Sequence, residues 1–238
     1  ASYRRALALE LGNADVNGNL GIIHKAQGRV EEALASFRAS SNPYARALAL
    51  ECELALGRQS DFFAWLESHA AEEATNLHSA SVSAYASYHA GRPDPHPFCP
   101  EPLTHVRVVE RYTAPGDAAF LQELIREAGR LDALWEPRGV TTKRGFQTGG
   151  NLFNHNVSVL AQLQEDLKEE LLRYRAQLAP AGMALASRWP ARVRLHGWFV
   201  RLLTGGHQYY HNHPFGWMSG CLYLQMPTAS PKGEGAIE

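Results

Sequence analysis

The sequence predicts an α+β fold with its helices first and its short strands last. Residues 1 to about 90 are rich in Ala, Leu and Glu and contain one proline, which is typical of consecutive helices. Five prolines then fall within 91–102, where they exclude helix and favour a stiff, extended link. Beyond residue 190, short apolar runs alternate with Gly and Pro turns, which is typical of antiparallel strands.

The composition excludes several classes of partner. The chain has 238 residues and a formal net charge of -1, which gives no electrostatic basis for binding nucleic acid. No apolar run approaches the ~20 residues of a membrane span, and the first residues lack the apolar core of a signal peptide. Cys52, Cys99 and Cys221 are widely spaced, so we expect free, buried thiols in a reducing, cytoplasmic setting.

A 34-residue period runs through the first helical block. The residues at its characteristic offsets are Leu20, Gly21, His24, Gly28, Ala33, Phe37 and Ser40. Tyr3 and Ala6 repeat part of it upstream, and Leu54 and Ala55 repeat part of it downstream. Small residues where two helices cross and large ones between turns are the pattern of tetratricopeptide repeats. We therefore predict a repeat domain over 1–91, with one whole repeat at about 14–47.

The second half has its own helices and strands, from which we predict a Pro-rich linker at 92–103 and a domain at 104–238. Asp117 can cap a helix that ends near Gly129, and apolar residues from Leu160 to Leu178 predict a second, amphipathic helix. The predicted strands are Trp198–Leu203, Tyr209–His213 and Ser219–Met226, with turns at 204–206 and 214–216 and a further strand beginning at Gly235. Such strands could close into a double-stranded β-helix, or jelly roll.

Two histidines in the last quarter carry the strongest chemical signal. His211 and His213 are two residues apart, and on an extended strand such residues point to the same face. Two neutral imidazoles on one face can hold a metal ion from one side and leave its other positions open. This arrangement predicts a metal-dependent enzyme.

Several motifs together resemble a known family. They are Gly145-Phe146-Gln147-Thr148-Gly149-Gly150-Asn151-Leu152-Phe153, Gly205-Gly206, His211-Asn212-His213-Pro214, Ser219-Gly220-Cys221-Leu222-Tyr223-Leu224 and Gly233-Glu234-Gly235. Residues 104–238 thereby resemble the 2-oxoglutarate/Fe(II)-dependent oxygenases that often follow tetratricopeptide repeats in bacteria. The resemblance implies a non-haem Fe(II) dioxygenase that couples oxidative decarboxylation of 2-oxoglutarate to hydroxylation of a substrate C–H bond.

The resemblance also assigns roles to individual residues. It implies that His211 and His213 bind the metal, although His213 stands where the wider superfamily has a carboxylate and could act as a hydrogen-bond partner instead. Tyr209 and Tyr223 are candidates for contacts with 2-oxoglutarate, and Tyr223 could equally pack in a strand. The candidates for substrate contacts are Gln147, Asn151 and Trp217. Gln147 and Asn151 could instead cap the following helix, which we favour, and Trp217 could be a core residue.

The sequence leaves two alternatives to this enzyme open. The distal histidine and the basic residue that binds 2-oxoglutarate in such enzymes are expected beyond Glu238, so the jelly roll would be C-terminally incomplete. A catalytically silent interaction protein built on the repeats is therefore one alternative. A cupin-like metal enzyme without 2-oxoglutarate is the other. If the oxygenase prediction holds, the repeats could present a peptide or protein substrate.

Overall fold

The computed structural model describes residues 14–178 and 182–226, which form an α+β structure that is mostly helical. In chain order its elements are α1 (Ala14–Ala26), α2 (Val30–Arg38), α3 (Pro43–Ala55), α4 (Gln59–Glu73), α5 (Leu77–Ala90), α6 (Ala118–Arg130), β1 (Ala133–Trp135), β2 (Thr142–Thr148), α7 (Ser158–Leu178), α8 (Ala184–Ser187) and β3 (Val200–Gln208). Short 3-10 helices lie at Pro102–His105, Pro115–Asp117 and Leu152–Asn154. The predicted repeat at Tyr3 and Ala6 and the predicted strand from Gly235 lie outside the described residues.

The described residues divide into two compact units. The helical unit contains 14–106, 178, 182–189 and 212–217. The mixed unit contains 107–177, 190–211 and 218–226. The predicted division at 91 and 103 stays a prediction. In the described ranges, no helix has the length and apolarity needed to cross a bilayer.

Helical hairpins build the first unit. Gly28, with a positive φ of 73°, reverses the chain between α1 and α2. Gly21 faces the ring of Phe37 so closely that a Cβ there would lie 2.4 Å from it, which lets the two helices cross in tight contact. Helices α2 and α3 bury Ala33, Leu34, Phe37, Ala45, Leu48 and Cys52 in one cluster. The predicted helices are therefore confirmed, whereas their identity as tetratricopeptide repeats stays a prediction.

One buried and one half-buried carboxylate tie the helices of this unit together. Glu73 is 1% exposed, receives a hydrogen bond from Arg46 at 2.7 Å, and also accepts from Asn76 and Ser79. On the neighbouring face of α3, Glu51 pairs with Lys25 and His78. Partial burial opposes ionisation of Glu51, but the hydrogen bonds from His78 and Lys25 outweigh it and lower the pKa of this carboxyl.

The Pro-rich segment packs on the helical unit instead of spanning as a free link. His96 is 1% exposed and Phe98 is also buried. Asp94 accepts hydrogen bonds from the Ser83 hydroxyl on α5 and from the His96 amide. The carbonyl of Phe98 accepts from the Leu185 amide at 2.9 Å. The prolines exclude α-helix as predicted, and these contacts, which the composition does not encode, hold the segment on the helices.

The mixed unit is built on two amphipathic helices that the sequence predicts. Helix α6 follows Asp117, whose side chain accepts from the Ala114 amide and does not cap α6. Helix α7 spans the predicted stripe to Leu178. Their apolar faces meet in a core of Leu124, Leu152, Val159, Leu160 and Leu163, against which Phe199 and Leu224 pack.

A three-stranded antiparallel sheet in the order β1-β2-β3 completes the mixed unit. The prediction that β3 ends in a turn at 204–206 is wrong, because the strand continues to Gln208. Gly145 pairs with Leu202, and Lys143 pairs with His207, so β3 carries three extra residues in a bulge. Gly206 fits there because a Cβ would lie 2.7 Å from the Arg144 carbonyl oxygen.

The two predicted strands that follow β3 are not formed. Residues 209–213 and 219–226 are irregular, and the ladder with β2 ends at Gln208. A strand requires a hydrogen-bonded neighbour, and none pairs with these residues within the described part of the chain. With three strands described, the jelly roll also stays a prediction.

The Gly21 contact predicts opposite effects for two glycines of α1. Gly21→Ala places a methyl group against Phe37 and should lower the free energy of unfolding by about 1–3 kcal/mol. Gly18→Ala is the matched control, since its Cβ would lie an ordinary 3.6 Å from the Ser40 hydroxyl and helix propensity should raise stability by up to ~1 kcal/mol. Urea denaturation measures both. Equal effects would contradict the crossing geometry.

The lowered pKa of Glu51 predicts a difference in acid sensitivity. A carboxyl with a depressed pKa stabilises the fold above its ordinary value of 4.5 and loses that contribution as the pH falls through the folded value. Glu51→Gln should therefore flatten the fall in stability below about pH 5 relative to the wild type. Chemical denaturation at pH 7 and pH 4 measures this, with the exposed carboxylate variant Glu31→Gln as control. A slope unchanged by Glu51→Gln would refute the assignment.

Candidate functional site

His211 lies on the irregular chain that leaves β3, and its side chain is exposed. Its Nδ1 lies 2.6 Å from the Tyr209 carbonyl oxygen. A carbonyl oxygen only accepts, so Nδ1 is the donor and carries a proton in this contact. Metal-binding imidazoles are commonly oriented by such an Nδ1–H to carbonyl hydrogen bond. This contact of His211 therefore suits metal binding through Nε2.

His213 begins the predicted turn, which is confirmed. The Gly216 amide donates to the His213 carbonyl at 3.0 Å, and Pro214 occupies the second turn position that its fixed φ favours. The His213 side chain is half-buried and belongs to the helical unit, whereas His211 belongs to the mixed unit. The turn fixes the backbone of His213 locally.

The prediction that both imidazoles lie on one face required a strand over 209–213, and the structure has none there. In 14–178 and 182–226, no three His, Cys, Asp or Glu side chains come together in a group that could hold a metal ion. These residues thus fit only part of an Fe(II) ligand set, namely its imidazoles, and no chemical step can be derived through the metal from them.

The two tyrosines proposed for 2-oxoglutarate both lie in the mixed unit. Tyr209 is 56% exposed, and its ring contacts Lys143 at 5.7 Å and His207 at 5.2 Å. Tyr223 is 52% exposed on irregular chain. Partial burial beside Cys221 raises the pKa of Tyr223, so its hydroxyl is a hydrogen-bond donor near neutral pH. Their role towards 2-oxoglutarate stays a prediction.

Gln147 and Asn151 have structural contacts that account for their side chains. Gln147 is buried in β2 and accepts a hydrogen bond of 2.6 Å from the Thr142 hydroxyl, so the helix-capping role that we favoured for it is wrong. Asn151 caps the 3-10 helix that follows it, which is the capping role that we favoured, although on a shorter helix than expected. Its side chain also accepts from the Gly197 amide and donates to the Leu195 carbonyl. Their contact with substrate stays a prediction.

Trp217 is an anchor within the helical unit. Its indole N–H donates to the Leu185 carbonyl at 3.2 Å, and its ring meets Phe98 edge-on at 5.0 Å. The structural alternative for Trp217 is thus observed. Sequence reasoning missed Phe98 and Leu185 as its partners, and also missed Ser81 and Tyr44, which contact Asn212 and Phe215. No local pattern signals contacts across such sequence separations.

Comparison with known proteins gives a family match in the last fifth of the chain. Residues 196–237 match the profile of the family described as "Putative 2OG-Fe(II) oxygenase". The match covers under a fifth of the chain. It includes His211, His213, Trp217 and both tyrosines, but not Gln147 or Asn151. No curated protein and no solved structure matches the chain.

The three thiols are free, but only Cys52 is buried; Cys221 is exposed, so the expectation of three buried thiols is wrong. Cys221 lies in the irregular segment 219–226, where we predicted a strand. Burial raises the pKa of Cys52 and of Cys99, which lowers the thiolate fraction of both.

Alkylation should therefore follow exposure. At pH 8, iodoacetamide should modify Cys221 at least tenfold faster than Cys52, because a buried thiol with a raised pKa presents little thiolate. Peptide mass spectrometry over time measures the two rates. The same reaction in urea is the control, where the difference should disappear. Equal rates in the native protein would show that the 219–226 segment or the α3 core is arranged differently.

Proposed function

We propose that the protein is a non-haem Fe(II)- and 2-oxoglutarate-dependent dioxygenase that hydroxylates a substrate C–H bond. The observation that carries the proposal is the oxygenase-profile match over 196–237, which includes the His211-Asn212-His213-Pro214 motif. The contact between Nδ1 of His211 and the Tyr209 carbonyl supports it, because a hydrogen bond of this kind commonly orients metal-binding imidazoles. A third ligand would come from outside the described residues.

The proposed roles follow the motif. His211 and His213 would hold the Fe(II), and Tyr209 and Tyr223 are candidates for contacts with 2-oxoglutarate. When bound, the iron would supply oxygen activation coupled to decarboxylation of 2-oxoglutarate to succinate. The chain's own contribution is local: the Tyr209 carbonyl holds the proton on Nδ1 of His211, and the 213–216 turn holds the His213 backbone.

The proposal also includes the fold, the location and the substrate of the enzyme. We propose a jelly-roll fold and a cytoplasmic location. We also propose that tetratricopeptide repeats hold a peptide or protein substrate. The stacked hairpins α1 to α5 support a repeat-like scaffold, because such scaffolds present extended binding surfaces.

One observation favours a second candidate function. Among the described residues, the histidines are not joined by a third metal-binding side chain. A catalytically silent interaction protein, in which the helical unit binds a partner, is consistent with that finding. The two candidates differ in a measurable property, since only the enzyme needs metal and 2-oxoglutarate.

Metal binding and turnover separate the candidates. Full-length protein should bind Co(II), an inert substitute for Fe(II), in calorimetry, and with Fe(II), oxygen and 2-oxoglutarate it should release succinate. His211→Ala and His213→Ala should each weaken Co(II) affinity at least tenfold, about 1.4 kcal/mol, because each removes one ligand. The exposed His155→Ala is the matched control and should behave as wild type.

The outcomes distinguish three candidate functions of the protein. Metal binding with succinate release supports the dioxygenase. Metal binding without succinate would favour a cupin-like metal enzyme. Binding of neither metal nor 2-oxoglutarate by the wild type would overturn the proposal and leave the interaction protein.

A further inference from the structure

A buried histidine lies at the centre of the Pro-rich segment that packs on the helical unit. We call residues 94–98 the docked segment. His96 is 1% exposed, and its Nδ1 accepts a hydrogen bond from the Phe98 amide at 3.2 Å. An amide nitrogen only donates, so Nδ1 carries no proton in this contact and the imidazole is neutral. The observed arrangement of the docked segment therefore requires an uncharged His96.

The docked segment holds two later parts of the same unit. The Pro97 carbonyl accepts from the Ala184 amide at 3.0 Å, and the Phe98 carbonyl accepts from the Leu185 amide at 2.9 Å, which attaches α8. The Trp217 indole donates to the Leu185 carbonyl, and its ring meets the Phe98 ring edge-on at 5.0 Å. Release of the docked segment would therefore remove contacts of both α8 and Trp217.

Charged groups of two elements surround the His96 ring. Glu73, the last residue of α4, acts on it and is itself paired with Arg46 of α3. Asp94 lies on the docked segment, and its carboxyl accepts from the Ser83 hydroxyl of α5 and from the His96 amide. Burial opposes protonation of His96 and outweighs the backbone and charge of Glu73, which favour it. The pKa of His96 is therefore lowered from its ordinary value of 6.5.

A second proton on this ring is incompatible with the docked arrangement. It would bind to Nδ1, so that two donors, Nδ1–H and the Phe98 amide, would face each other in a buried site. A released ring takes up the proton in water without that conflict. Because the pKa of His96 is lowered in the docked state, docking is favoured above pH 6.5 and loses this advantage as the pH falls below it. Burial raises the pKa of Asp94, which acts in the opposite sense at lower pH.

We propose that His96 is a pH-sensitive latch, which holds residues 94–98, α8 and Trp217 together in the helical unit while its ring is neutral and releases them when the ring is protonated. The latch does not depend on the proposed oxygenase function, because all of its contacts lie within the helical unit. Trp217 falls within the range 196–237 that matches the oxygenase profile, so release would change the surroundings of one residue of that range.

Hydrogen exchange of the full-length protein at pH 7.5 and pH 5 tests the latch. The amides to follow are those of Phe98, Ala184 and Leu185, and each rate is divided by the intrinsic rate at the same pH to give a protection factor. A ring that takes no proton when docked and has a pKa of 6.5 when released would lower protection by about thirtyfold. We expect a fall of about tenfold or more in the wild type.

Three variants assign the effect to one group. His96→Asn provides an amide oxygen that can accept near the place of Nδ1 but does not titrate, so its protection should be the same at both pH values. His89→Asn is the matched control, since this histidine is exposed on α5, and it should keep the wild-type fall. Asp94→Asn removes the neighbouring carboxyl and should also keep the fall. Loss of the fall in Asp94→Asn, or its persistence in His96→Asn, would overturn the role of His96.

A second measurement on the wild type needs no substitution and so holds even if a variant fails to fold. In nitrogen-15 spectra of histidine-labelled protein at pH 7.5, His96 should be neutral with its proton on Nε2, because Nδ1 accepts from Phe98. Its ring should titrate below pH 6.5, together with the loss of protection at Leu185. Titration of His96 at or above pH 6.5, or protection that is equal at pH 7.5 and pH 5, would overturn the latch.

Discussion

The hydrogen-bonded ladder between β2 and β3 ends at Gln208, and the described residues that follow it form no strand. Beyond it, no strand within 14–178 and 182–226 pairs with the backbone. Backbone groups and side chains must then be held by turns and by individual contacts. The contacts around the histidine motif include that of His211 with the Tyr209 carbonyl, the 213–216 turn and the hydrogen bond from Asn212 to Ser81.

Residues 212–217 belong to the helical unit and contact its helices. Pro214 and Phe215 help to line the cleft at the N-terminal ends of α3 and α5. The pairs Arg46–Glu73 and His78–Glu51 join helices α3, α4 and α5 near this cleft.

The sequence predicts those parts of the fold that depend on local patterns. The crossing of Gly21 with Phe37, the stripe of α7 and the turn at Pro214 each follow from spacing or from one residue's conformational preference. Strands at 209–213 and 219–226 could not be judged in this way, because an alternating pattern does not reveal whether a partner strand lies beside it. Gly205 and Gly206 likewise have the composition of a turn but form a bulge.

In the candidate site, too, local features could be predicted from the sequence, whereas contacts between distant residues could not. The histidines and the Asn151 cap can be read from neighbouring residues. The contact of Asn212 with Ser81 joins residues 131 positions apart and has no sequence signature. The exposure of Cys221 could not be inferred either, since it depends on whether the surrounding segment is covered.

The central claim is that His211 and His213 bind a metal through their imidazoles, and nitrogen-15 NMR of histidine-labelled full-length protein tests it most directly. Before metal, the spectrum should show His211 with a protonated Nδ1. On addition of Zn(II) as a diamagnetic substitute, one ring nitrogen of each histidine should shift, and the remaining imidazoles should stay unchanged. Shifts confined to other histidines, with 211 and 213 unaffected, would contradict the account.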